Sequence, residues 1–347
     1  MAATQPLTGA AKQHAIDTSG LIHKQQWLVA SWVMCGLALL TVAARIAMRF
    51  FTRRKLFLDD YFLLVAMPCV VVATSMLQWG ADGLFLYKAV ISDVPFVLDA
   101  ADLNELTHVT IVTNVFVDTS WTAIFCVKFS FLALFRVLIK NVSTHLSRYF
   151  WCVVVITAVT WAFLVSEAFI LCSKFGWASF GCTGAGSRLY TPLTAVVTVL
   201  DITTDVLVVT FPIFILRRAR IDREQKIGLG AFLSLSIVMI IFATIRVLGA
   251  IRPGEPQLDV TWELFWQLME ACAAMMAASA TVFRTIFLRR SGGSSSAPVP
   301  RGAGHAPLPS ASDGPRSAAP PGAVVPTMTE IRSFMQREGL EDVERIG

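Results

Sequence analysis

The chain has 347 residues, of which 55% are hydrophobic and 15% charged, and its 29 Lys and Arg outnumber 24 Asp and Glu to give a net charge of +5. Soluble globular proteins carry about 25% charged residues, so this charge deficit with an apolar excess excludes an ordinary soluble enzyme; it equally excludes disorder over most of the length, which requires low hydrophobicity and high charge. The basic surplus falls in short clusters between long apolar runs, the pattern of membrane topology and not of nucleic-acid binding.

A membrane-spanning helix needs about 20 predominantly apolar residues. Such runs lie at 27–49, 60–80, 106–138, 149–171, 191–216, 227–249 and 263–288, which predicts an all-α protein, a seven-transmembrane helix bundle over residues 27–290. The third run exceeds what a bilayer requires and is expected to protrude or tilt. Residues 1–26 are polar and hold no apolar core of signal-peptide type, so they read as an extracellular N-terminal segment, with the first span as its own insertion signal. Asp59 and Asp60 open the second span, where a carboxylate satisfies free amides and meets the positive end of the helix dipole. Pro68 and Pro212 lie within spans and are expected to kink them. Trp27, Trp32, Trp79, Trp177 and Trp262 sit near run ends, as an interfacial aromatic belt would.

Orientation follows from the basic residues of the connections. One side holds Arg53, Arg54, Lys55, Lys140, Arg148, Arg217, Arg218, Arg220, Arg223, Lys226, Arg289 and Arg290, whereas on the other Lys12, Lys24, Lys88, Lys174, Arg188 and Arg252 are mixed with acids. The first side reads as cytoplasmic, which places the N-terminus outside and the C-terminus in the cytosol. Cys172 and Cys182 then share an oxidising-side loop, where a disulfide is expected, and the sequon Asn141-Val142-Ser143 faces the cytoplasm and carries no sugar. Five other cysteines lie in apolar runs, and no CxxC or Cys/His array with zinc-ligand spacing is present, so no metal site is expected.

From 291 the composition shifts to Ser, Gly, Ala and Pro, which cannot build a core. Residues 291–347 therefore read as a largely disordered cytoplasmic tail. Helical spacing returns over 327–346 through Ile331, Phe334, Met335, Leu340 and Val343, as a weakly formed terminal helix or as one that docks on a partner or membrane surface.

Ionisable groups within spans are costly and mark function or mutual pairing. Those singled out are Asp118 and Lys128 in the third span, Glu167 in the fourth, Asp201 and Asp205 in the fifth, Arg246 in the sixth and Glu270 in the seventh. Asp201 and Asp205, four apart, share a helical face. Asp118, Asp201, Asp205, Arg246 and Glu270 are the candidate ligand-pocket residues; alternatively Arg246 neutralises Asp201 or Glu270 and knits helices together. Lys128, Arg136 and Lys140 approach the cytoplasmic end of the third span, where they snorkel to headgroups or meet a transducer. Arg136, Arg217, Arg218, Arg220 and Lys226 are the candidate transducer-facing residues. Neither the sixth nor the seventh span holds a lysine beyond Lys226 at the boundary, so no retinal or other cofactor is expected. No P-loop, HExxH or GxSxG is present.

Specific strings carry a resemblance. Asp201-Ile-Thr-Thr-Asp205 with Phe211-Pro212, Glu224-Gln225-Lys226-Ile227-Gly228 and Arg246 resembles the fungal rhodopsin-domain integral membrane family. Leu58-Asp59-Asp60-Tyr61 with Ala66, Lys128-Phe129-Ser130 with Phe135-Arg136, and Glu270 with Ser279 and Arg284 extend the likeness to residues 27–290. The chain departs from the family at Gly80-Ala81-Asp82-Gly83-Leu84, where a glycine–histidine pattern is frequent, and at Thr281, where proline is common. The resemblance implies a seven-helix, receptor-like multi-pass protein, more expected in the plasma membrane than in internal membranes, that senses an extracellular small molecule and signals through a heterotrimeric G protein. The alternatives are a transporter or accessory membrane protein in secondary-metabolite biosynthesis, and a membrane-embedded enzyme using the paired carboxylates; an enzyme is not the expected class.

Overall fold

In hydrocarbon every backbone N–H and C=O must find its partner inside the protein, and a helix does so within one segment. In the computed structural model the described residues are 8–54, 56–92, 95–139, 144–171, 190–218, 237–246, 248–249 and 259–292, and their elements are helices. They run in the order α1 (Gly9–Asp17), α2 (Lys24–Arg53), α3 (Leu58–Ile91), α4 (Ala100–Ile139), α5 (Thr144–Leu171), α6 (Tyr190–Arg218), α7 (Ile237–Arg246) and α8 (Val260–Gly292). All lie in one compact unit, residues 1–295.

Five helices, α2 to α6, are long and apolar enough to cross a membrane, and α7 is a shorter apolar helix over its described length. They correspond to the first six apolar runs. Large apolar side chains such as Val33, Leu40, Val65, Val155, Val159, Val199 and Ile241 point outward. In water such a surface would drive aggregation; in a bilayer it is the lipid-facing coat. The protein is a multi-pass membrane protein in contact with lipid.

The seventh run, α8, faces protein. It packs against α2, α3 and α4, and Leu268, Ala271, Cys272, Met275 and Ala278 along it are wholly buried. Small residues let neighbouring backbones come close where no water is available to drive association. The α3–α4 contact, the most extensive pairing of helices, uses the same device: a Cβ on Gly80 would stand 2.4 Å from Val112 Cγ1, and one on Gly83 would stand 2.9 Å from Val109 Cγ2.

Helix ends follow local chemistry. Arg54 takes a left-handed conformation, φ 50°, and its N–H bonds Phe50 O at 3.0 Å to close α2. At the start of α3 the Asp60 carboxylate accepts from the Phe57 N–H at 3.1 Å, which is the capping role read from the sequence. Pro68 lies inside α3, whose helix continues through it.

The helix boundaries depart furthest from the apolar runs in α3 and α4. Helix α3 extends to Ile91 and not to 80, because the polar residues that interrupt its hydropathy are paired: Asp82 with Lys24, and Lys88 with Asp259 at 3.5 Å. Helix α4 begins at Ala100, six residues before the apolar run. Trp27 is a correction to the aromatic belt. It is 1% exposed and its indole N–H donates to Thr261 O at 3.1 Å, so it joins α2 to α8 in the core, whereas Trp32 and Trp79 are exposed as a belt requires.

The N-terminal segment contains α1, which hydropathy does not announce because Ile16 is its one buried residue. It is held against the bundle by Lys12, paired with Asp99 at 2.9 Å and Asp102 at 2.5 Å. Just after it, the Ser19 hydroxyl donates to Phe85 O at 3.0 Å.

Candidate functional site: a buried ionic centre

Four of the five candidate pocket residues converge. Asp201 and Asp205, one turn apart on α6, present their carboxylates to Lys128 of α4, whose ammonium lies 2.8 Å from Asp201 Oδ1 and 2.8 Å from Asp205 Oδ1. Lys128 also donates to the Asp201 carbonyl at 3.0 Å and to Thr204 Oγ1 at 2.8 Å. Its side chain is 5% exposed, so Lys128 does not snorkel. The reason is energetic: a lysine stem can carry its charge to the headgroups only if no closer anion exists, and here two carboxylates lie within hydrogen-bond reach.

Arg246, near the end of α7, is packed with its guanidinium 4.8 Å from the Trp121 ring centroid on α4, a cation–π contact inside the bundle. Its Nη2 is 3.7 Å from Asp201 Oδ2 and its Nη1 is 3.5 Å from Glu270 Oε2 on α8. Arg246 therefore neutralises both carboxylates named for it, but loosely. Arg246 Nε and Nη2, Asp201 Oδ2, Asp205 Oδ2 and both Glu270 oxygens are buried without a hydrogen bond. Orphaned polar atoms are expensive in a low-dielectric interior.

Asp118, the fifth candidate, is half-buried on α4 and forms no ion pair with the other four among the described contacts. Its Oδ1 lacks a hydrogen bond, as do Asn114 Nδ2 one turn earlier and Trp266 Nε1 on α8. Glu167 of α5 and Glu263 of α8 lie within electrostatic reach of Arg246, and Gln267 donates to Ser120 at 2.8 Å. Polar groups of α4, α5, α7 and α8 thus concentrate toward one end of the bundle.

A second ionic cluster near the other end escapes a residue-by-residue reading of spans. Arg45 and Arg49, one turn apart on α2, meet Asp59 and Asp60 at the start of α3. Arg45 Nη2 is 2.5 Å from Asp59 Oδ2 and its Nε is 3.1 Å from Asp60 Oδ1, while Arg49 Nη1 is 2.6 Å from Asp60 Oδ2. Arg45 also donates to the Ala278 carbonyl of α8. Two positive and two negative charges close this cluster, and it ties α2, α3 and α8 together. The signal for it was a pair of arginines four apart, followed ten residues later by adjacent aspartates.

Of the transducer-facing candidates, Arg136 is exposed, with its guanidinium 5.5 Å from the Trp151 ring of α5. Arg217 and Arg218 end α6, their side chains outside the description. Arg220, Lys226, Cys172, Cys182 and the Asn141 sequon lie outside the described residues, as does the tail after Gly292.

The fold and the centre together define a multi-pass α-helical membrane protein whose spans are joined by buried ion pairs. Residues 44–289 match the family model of the fungal rhodopsin domain, and the chain belongs to that family. No curated protein and no solved structure matches the chain.

Proposed function

We propose that the protein is a receptor-like membrane sensor of an extracellular small molecule. The reading rests on one observation: the ionic centre joins α4, α6, α7 and α8 and keeps buried polar atoms without hydrogen bonds, as do Asn114 and Asp118 of α4 and Trp266 of α8. A small polar molecule settling among them would exchange loose contacts for hydrogen bonds. Doing so alters the Arg246 pairs that hold α6, α7 and α8 in register, a local electrostatic change with a global readout. In the orientation read from the basic connections, the opposite ends of α4 and α6 reach the cytoplasm, where Arg136, Arg217, Arg218, Arg220 and Lys226 offer positive charge to a G protein. The N-terminus is outside, and the plasma membrane is the site of action.

The test is proximity labelling between the full-length chain and Gα subunits, before and after an extract of spent growth medium is added. The expected result is an extract-dependent change in association that disappears when residues 217–226 are neutralised. Association identical to that of the neutralised chain under all conditions overturns the reading. A transporter is the second reading, favoured by the surplus of acid within the spans. For it, the same extract would yield a labelled solute inside vesicles without any Gα association.

A further inference from the structure

The ionic centre has a charge imbalance that its geometry can resolve. Asp201, Asp205 and Glu270 bring three negative charges; Lys128 and Arg246 bring two positive charges, which leaves one negative charge uncompensated among side chains that are almost wholly buried. Among the described residues, Asp118 of α4, Glu167 of α5 and Glu263 of α8, which interact with one another or with Arg246, are acids and add no compensation. An unpaired charge in a membrane interior is unfavourable by several kcal/mol, so the surplus is met by a bound cation or by a proton.

The three carboxylates converge, held by the protein's own cations only in part. One carboxylate oxygen each from Asp201, Asp205 and Glu270 lies within 4.8 Å of the other two. Three such points share a centre within about 2.8 Å of each, near the distance at which hard cations take oxygen ligands. Lys128 occupies only Oδ1 of each aspartate. Asp201 Oδ2, Asp205 Oδ2 and both oxygens of Glu270 have no hydrogen-bond donor, although Glu270 is 0% exposed. A wholly buried carboxylate with neither oxygen hydrogen-bonded, close to two further carboxylates that each keep one oxygen without a donor, is an arrangement that a cation completes.

We propose that Asp201, Asp205 and Glu270 bind one exchangeable alkali cation. The charge count selects the valence: a single positive charge brings the centre to neutrality, whereas a divalent ion leaves it with a surplus of the opposite sign. The bound ion shields Glu270 from Asp201 and Asp205 and so locks α8 to α6, while Arg246 holds α7 to both. A proton competes for the same carboxylates, so occupancy falls as pH falls. The proposal concerns the floor of the site and stands whether or not the protein couples to a G protein.

The experiment is thermal unfolding of the full-length protein in detergent, followed by tryptophan fluorescence, with sodium or potassium chloride titrated against choline chloride at equal ionic strength. The expected result at pH 8 is a saturable rise in midpoint of about 3 °C or more in at least one alkali salt over choline, a smaller rise at pH 5.5, and no rise in Glu270→Gln. Identical midpoints in the alkali and choline salts overturn the proposal. So does a midpoint that depends on pH alone, which marks a centre holding only a proton. If Glu270→Gln fails to fold, Asp205→Asn is the second variant, and an alkali-specific rise undiminished in it overturns the assignment of the site. The wild-type comparison needs no variant, and a Gα experiment that fails leaves its outcome unchanged.

Discussion

Lys128 of α4 lies 2.8 Å from Asp201 Oδ1 of α6, with both side chains buried between helices. Lys128→Met removes a positive charge and leaves two carboxylates facing each other. Breaking a buried pair from one side costs about 3–5 kcal/mol. The expected outcome is a large loss of monodisperse protein after detergent extraction and a lowered melting midpoint. Adding Asp201→Asn recovers part of the loss, because the residual negative charge then falls by one.

Arg45 ties three helices, and its removal is expected to act differently from that of Arg49. Arg45→Leu withdraws hydrogen bonds from Asp59, Asp60 and the Ala278 carbonyl together, and its side chain is only 1% exposed. Arg49 is 12% exposed and its loss leaves Arg45 on both aspartates. The first substitution should therefore destabilise by about 3 kcal/mol or more and the second by less. A double-mutant cycle of Arg45→Leu with Asp60→Leu, measured by thermal unfolding, should return a coupling energy of the pair; additivity within about 0.5 kcal/mol would refute it.

How far the sequence carries the fold depends on which term sets each feature. Apolar runs locate α2 to α6 because lipid exposure fixes composition over a whole span. They misplace the end of α3, because Asp82 and Lys88 lower the local hydropathy while their partners, Lys24 and Asp259, are distant in sequence. The same limit applies to the site. Asp201 and Asp205 announce a shared face by spacing alone, but only the packing of α4 against α6 shows that Lys128 belongs to them and not to the headgroups. Trp27 reads as interfacial by position, and its partner carbonyl at Thr261, 234 residues away, is what makes it core.

Gly80 lets α3 lie directly against Val112 of α4. A Cβ there would meet Val112 Cγ1 at 2.4 Å and Val112 Cβ at 3.0 Å. Overpacking of this kind costs about 1–3 kcal/mol, so Gly80→Ala should lower the melting midpoint. Val112→Ala on top of it removes the obstructing branch and should restore most of the loss. A midpoint for Gly80→Ala equal to the parent would show that the two helices separate freely.

Lys12 fastens α1 to the start of α4, and the bond is expected to depend on pH and salt. Hydrogen bonds that it donates to Asp102 and then to Asp99 raise its ammonium above the ordinary 10.5. A group whose folded value is raised contributes its stabilisation in full below the unfolded value and loses it as pH climbs through the folded one, and a lowered carboxyl such as that of Asp102 loses its share as pH falls, so the attachment holds at neutral pH and weakens above about 10.5 and in acid. Asp99 is 73% exposed, and an ion pair so open to solvent is worth at most about 1 kcal/mol and is screened by salt. Hydrogen–deuterium exchange over residues 9–17 should therefore quicken in Lys12→Ala, and to a lesser degree in the parent at high ionic strength, while α2 and α3 keep their protection. Exchange in this segment unchanged by both treatments would mean that Ile16 and the Ser19 hydrogen bond to Phe85 hold α1 without the lysine.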